Sequence, residues 1–155
     1  MSILSWGKCT ITKAESTNGA PASGATWAAI DTPKEDTTKI TASAGTEKSA
    51  TEEGGELVDS KFGKNTYQLE FDLFVKKGVT RPFTDSDGVV SGEWAFRIVP
   101  EDATCEGVQI DRSVVRVEES YSTADGILLH HVCKCLKPAS GNTIKAYTQG
   151  GGNSE

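Results

Sequence analysis

The sequence predicts an all-β fold, mainly antiparallel. It reads as a β-sandwich or barrel with a protruding hairpin or loop and at most one short helix. Three observations carry this. First, Asn65–Lys77 (NTYQLEFDLFVKK) sets Tyr67, Leu69, Phe71, Leu73 and Val75 on alternate positions, with Gln68, Glu70 and Asp72 between them. Strand side chains alternate between faces, whereas a helical period would mix these acids into the apolar stripe. Second, the alternation recurs in Glu93–Val99 and Ile127–Leu136. Third, turn residues separate the runs and no long helical period intervenes, giving about six to eight strands.

Taken in order, Trp6–Lys13 reads as a first strand, with Trp6, Lys8, Thr10 and Thr12 on one face and Cys9 and Ile11 on the other. Glu15–Ala25 (ESTNGAPASGA) is small and polar and reads as a loop. Trp27–Ile30 anchors a second strand, and Pro33 bars a regular ladder position after it. Thr37–Thr51 alternates faintly through Thr38, Ile40 and Ala42, and Leu57 and Val58 lead a matching segment toward Phe62. Between them lies Ser49–Glu56, with the glutamates Glu52, Glu53 and Glu56 and two adjacent glycines. Residues 37–61 are thus two arms of a protruding hairpin, or equally a mobile surface loop. As a hairpin, the segment has too thin an apolar face to stand alone and needs a partner surface.

The Asn65–Lys77 strand is half-buried, with a carboxylate-bearing outer face. Lys76–Gly78 turns the chain, and Pro82–Gly88 is loop with room for one short helical turn. Glu93–Val99 sets Trp94, Phe96 and Ile98 against Ala95, Arg97 and Val99, and Pro100 ends it. Glu101–Gly107 is an acidic turn. Val108–Tyr121 is a long strand or a bent pair, with Val114 and Arg116 facing one way and Val115 and Val117 the other. Asp125-Gly126 signals a hairpin, and Ile127–Leu136 returns with Ile127, Leu129, His131, Cys133 and Cys135 on one face. Pro138–Gly141 closes that strand. Residues 1–147 form one domain, and 148–155 (TQGGGNSE) a disordered Gly-rich tail.

A net charge of −6 argues against a protein that holds nucleic acid by neutralising phosphates. It is compatible with a surface past which a polyanion slides. The first residues lack a basic lead and an apolar run, and no segment reaches membrane-spanning length. A cytoplasmic setting is therefore expected, with Cys9, Cys105, Cys133 and Cys135 as thiols.

Chemistry is harder to find. His130–Cys135 (HHVCKC) is the most metal-like string, but residues two apart on a strand lie about 7 Å apart and do not converge on one ion. Buried thiols filling the core are the expectation instead. A cysteine nucleophile has only His130 and His131 to serve as base, both sequence neighbours of Cys133 and Cys135. Asp85, Asp87 and Gly88 resemble the start of a calcium loop, yet its twelfth position is Phe96. Phosphate-loop and nucleophile-elbow motifs are absent. We expect no catalytic activity, no metal and no cofactor. Trp94 belongs to the core, whereas Trp6 and Trp27 are candidate interface aromatics or, in a rival reading, a carbohydrate platform of a monomeric or dimeric binding module.

Four strings, TPKEDTTK at Thr32–Lys39, EEGGE at Glu52–Glu56, GKNTY at Gly63–Tyr67 and FRIVPEDATCEG at Phe96–Gly107, together resemble major tail tube proteins of long-tailed bacteriophages and prophages. The likeness runs from about Trp27 to Tyr147. It implies a β-sandwich or barrel subunit, similar in fold to the type VI secretion tube protein. Such subunits form hexameric rings that stack into a tube conducting DNA. It further implies a virion protein assembled in the bacterial cytoplasm, with copies of itself, a terminator and a tape measure as partners and no membrane. On that reading Glu70 and Asp72, or Glu118 and Glu119, face the lumen. Thr38, Ile40, Glu52, Glu53 and Glu56 contact the next ring.

Overall fold

The computed structural model describes residues 3–148. The tail expected from Thr148 therefore lies, from residue 149 on, outside the described residues. The strands are β1 (Thr10–Thr17), β2 (Ala20–Pro21), β3 (Ala28–Ala29), β4 (Lys39–Ser43), β5 (Glu47–Thr51), β6 (Leu57–Phe62), β7 (Thr66–Phe74), β8 (Asp85–Ser86), β9 (Val89–Val90), β10 (Glu93–Val99), β11 (Gly107–Ser122), β12 (Gly126–Cys135) and β13 (Ile144–Tyr147). Their ladders are antiparallel. The main sheet runs β2-β1-β10-β11-β12-β7-β4, with β3 on β1, β13 and β9 on β11, and β8 on β9. It curls into a half-barrel, and among the described residues no ladder joins β4 back to β2 or β3. β5 and β6 form a separate two-stranded sheet.

β11 is the spine. On one flank it pairs with β10 and then, at Arg116, with β9; on the other it pairs with β13 and then β12. The change of neighbours happens at a bulge: Trp94 faces Ser113 but Phe96 faces Ile110, so β11 holds one extra residue around Asp111 and Arg112. A bulge bends its strand and leaves ladder groups to be satisfied otherwise. Here the Ser16 hydroxyl donates to Asp111 O at 2.8 Å and Leu136 N to Arg112 O at 2.9 Å. The fully buried Ser113 hydroxyl donates to Trp94 O at 2.8 Å. The Arg112 guanidinium forks onto both Glu93 oxygens at 2.9 Å and holds that carboxyl below its usual range.

The concave face carries the core. Leu69, Phe71 and Leu73 of β7 meet Leu129, His131 and Cys133 of β12, then Val115 and Val117 of β11, Phe96 of β10 and Ile11 of β1. Phe83 closes this face from the loop after β7, edge-on to Trp94 at 5.1 Å and Phe96 at 6.0 Å.

Several local expectations are corrected. The first strand begins at Thr10, not Trp6. Gly7 takes a positive φ of 96° there, and a Cβ on it would run into Glu101. The strand continues through Glu15, Ser16 and Thr17, because β10 pairs with it as far as Ser16. Asn18 and Gly19 then make a two-residue hairpin turn at φ 57° and 87°, left-handed values that suit this pair. The short helical turn allowed within Pro82–Gly88 is absent, and no helix occurs among the described residues. Asp87 and Gly88 instead turn a small hairpin between β8 and β9, in which Gly88 N donates to Asp85 Oδ2 at 2.8 Å.

Phe71 lies at the centre of this core, stacked on His131 and edge-on to Phe96. Phe71→Ala is expected to cost about 3–5 kcal/mol of unfolding free energy, read by chemical denaturation. Val114→Ala, on the convex face, is expected to change it by less than about 0.5 kcal/mol.

Candidate functional site

Among the described residues, the hairpin β5–β6 joins no strand of the main sheet. All residues from 46 to 66 are exposed, on both faces of the ribbon. Its tip turns at Gly54 and Gly55, with φ 97° and 93°, and closes through Glu52 N donating to Glu56 O at 2.9 Å. Its register places Lys48 directly opposite Lys61, an unfavourable like-charge pair. The side chains that stabilise it are short and wet, as where the Ser60 hydroxyl donates to Glu47 Oε2 at 3.2 Å. Leu57, Val58 and Phe62 are left 62%, 58% and 77% exposed. An isolated two-stranded hairpin is marginal in water, so this ribbon has surface to bury and little stability of its own. Its neck is tight: Gly63 N donates to Thr46 O at 2.6 Å, and a Cβ on Gly45 would strike the backbone of Gly63 and Lys64.

The arm is narrower than the 37–61 span expected. β4 is sewn into the main sheet against β7, from Lys39 opposite Glu70 to Ser43 opposite Thr66. Ile40 pairs with Leu69 and packs on the core, and half-buried Thr38 bonds the Cys9 thiol. Of the residues expected at an inter-ring contact, Glu52, Glu53 and Glu56 therefore stand at the hairpin tip, while Thr38 and Ile40 belong to the body. Among the described residues the outer edge of β4 carries no ladder, which leaves one end of the sheet open.

Glu70 and Asp72 share the convex face of β7, but they are not a bare row of carboxylates. Their side chains are 17% and 18% exposed, and the His130 ring lies between them. His130 Nδ1 is 2.5 Å from Asp72 Oδ1 and Nε2 is 3.4 Å from Glu70 Oε1. Gln68 Nε2 also donates to Glu70 Oε2 at 2.7 Å. Residues directly opposite share a face, so Glu118 opposite His130 joins this cluster. Its carboxylate pairs with Arg116 at 3.0 Å. Glu119, one residue on, points to the opposite face and pairs with Arg81 at 3.0 Å. Glu118 and Glu119 therefore cannot line one surface together.

The two candidate aromatics separate as well. Trp6 is 69% exposed, outside any strand, beside an open groove of about 630 Å³. Lys8, Cys9, Lys34, Thr38 and Ile98 also line the groove. Trp27 is half-buried and occupied, because the Arg97 guanidinium lies between its ring at 4.0 Å and that of Tyr147 at 4.5 Å. Arg97 Nε donates to Gln109 Oε1, Gln109 Nε2 to Asp111 Oδ1, and Lys145 pairs with Asp111. This chain of contacts fastens β13 to β11. No sequence spacing announces it, since its members come from four separate segments.

No known family model matches this chain. No curated protein matches it either. Among the described residues, no three His, Cys, Asp or Glu side chains are grouped to hold a metal ion. Burial raises the Cys133 thiol well above its ordinary range and pushes Cys135 up to about 11, so neither is a poised nucleophile.

Gly45→Val is expected to force the neck apart. Amide hydrogen exchange should then speed up across Glu47–Phe62, while amides of β7, β11 and β12 keep their protection.

Proposed function

We propose that this chain is a structural subunit that assembles with copies of itself, of the tail tube type its sequence strings resemble. Copies pair through the open ends of the curled sheet, where edge backbone groups lack a ladder. The resemblance implies a hexameric ring. Rings then stack through the β5–β6 hairpin, whose apolar residues find cover on the next copy. The observation that carries this reading is the hairpin itself, wholly exposed and holding Leu57, Val58 and Phe62 in water.

In such a tube the convex face of β7, β12 and β11 lines the conduit for DNA. Glu70, Asp72 and Glu118 stand there among His130, Arg116, Lys39 and Lys134. A wall of mixed, internally paired charge gives a passing polyanion no strong hold. A head-to-tail stack does not close on itself, so its length must be set by other tail proteins.

The test is mass in solution by light scattering, with negative-stain imaging at high concentration. Rings and stacked rings are expected. A variant with residues 46–62 replaced by a short glycine turn should form rings that no longer stack. A strict monomer at every concentration, with tail partners present or absent, contradicts the proposal. The groove beside Trp6 favours a second reading, a carbohydrate-binding module, which instead predicts saturable quenching of tryptophan fluorescence by an oligosaccharide.

A further inference from the structure

Two histidines stand side by side on β12 and face opposite ways. His130 lies among carboxylates on the convex face; His131 points into the core and is 0% exposed. Its ring stacks on Phe71 with centroids 4.7 Å apart and an interplanar angle of 12°, and lies 5.8 Å from Phe83. Neither ring nitrogen has a hydrogen-bond partner. The carbonyls of Leu129 and Phe71 lie near the ring and favour a proton on it, but neither meets a nitrogen in bonding geometry. A buried polar side chain left this way costs stability, and few native cores contain one.

On its own face of the sheet the ring's register partners offer a proton no counter-ion, and Asp72, across the sheet, favours it more weakly than the other influences oppose or support it. Val117 of β11 and Phe71 of β7 are the register partners of His131, Phe83 covers it from the loop, and the Cys133 thiol is two positions along. Asp72, Glu70, Glu118 and His130 are all on the other side of the sheet. Charged groups on the concave side are engaged elsewhere: Lys13 Nζ sits 5.2 Å from the centre of the Phe83 ring with Glu15 acting on it, and Glu119, two positions along β11 from Val117, pairs with Arg81 at 3.0 Å.

We propose that His131 is a proton-operated release in the core: neutral, it packs as an aromatic ring between β7 and β12; protonated, it leaves, and that seam opens. The direction of its titration agrees. Burial, the largest cause, pushes the imidazole down to about 4, with the charge of His130 adding to it. The sign follows from linkage. Between the ordinary histidine value and about 4, the unfolded chain holds a proton that the folded chain excludes. Stability is therefore full above that window and is lost as pH falls through it. The seam that opens also carries β4, and with it the base of the exposed hairpin.

The experiment is denaturant unfolding of the whole chain from pH 7.5 to 4.5, comparing wild type with His131→Phe, His131→Leu and His130→Gln. The unfolding equilibrium constant of the wild type is expected to rise about tenfold more per pH unit than that of His131→Phe below pH 6. His130→Gln should keep the wild-type steepness. If His131→Phe does not fold, His131→Leu takes its place. Ring resonances of His131 in the folded wild type supply an independent reading, and should show no titration above pH 5. Equal steepness in wild type and the His131 variants overturns the proposal, as does a His131 resonance titrating near the ordinary value in the intact fold.

Discussion

The extra residue in β11 is the constraint on which the rest of the structure depends. A regular strand of that length would hold the same two neighbours throughout and continue a gently twisted sheet. With one residue too many around Asp111 and Arg112, β11 turns and takes a new neighbour on each flank. The bend persists because each carbonyl it releases is claimed: Asp111 O by Ser16, Arg112 O by Leu136 N and Trp94 O by Ser113. The two side chains at the bulge are tied as well, Arg112 to Glu93 and Asp111 to Gln109 and Lys145. A fully satisfied polar network of this kind specifies one geometry more sharply than apolar packing alone.

From that bend follows a concave face large enough to enclose one aromatic-rich core, and a sheet that stops short of closing. The loop residue Phe83 covers the concavity where a second sheet stands in a sandwich. The open ends and the hairpin are then consequences of the same geometry. The strand that follows β4 pairs with β6 rather than with the main sheet, and the two run out as a ribbon pinched at Gly45 and Gly63. Core and ribbon divide the molecule into a body with its own buried core and an arm exposed along its whole length.

How much of this was legible in the sequence depended on burial. The alternations in Tyr67–Val75, Val114–Val117 and Ile127–Cys135 named the faces of three central strands, because a half-buried strand repeats every two residues. Glu15–Thr17 escaped because small polar residues serve well enough on a strand whose partner supplies the ladder; the Asn18-Gly19 pair was the signal that could have shown the turn. The bulge was hidden in a polar stretch, Gln109–Arg112, whose side chains match groups far away in the chain. The candidate acids show the same division. The outer-face place of Glu70 and Asp72 could be read from spacing, whereas adjacent Glu118 and Glu119 were expected together and lie on opposite faces; and the His130 that lies between Glu70 and Asp72 comes from another strand. Likewise, nothing near Trp27 in sequence points to Arg97.

The central claim is that the β5–β6 arm is completed by another copy of the chain. Amide hydrogen exchange of residues Glu47–Phe62, followed as protein concentration is raised, tests it most directly. The account predicts that protection in the arm grows with concentration while β7, β11 and β12 exchange at unchanged rates. Arm protection that is independent of concentration would contradict it.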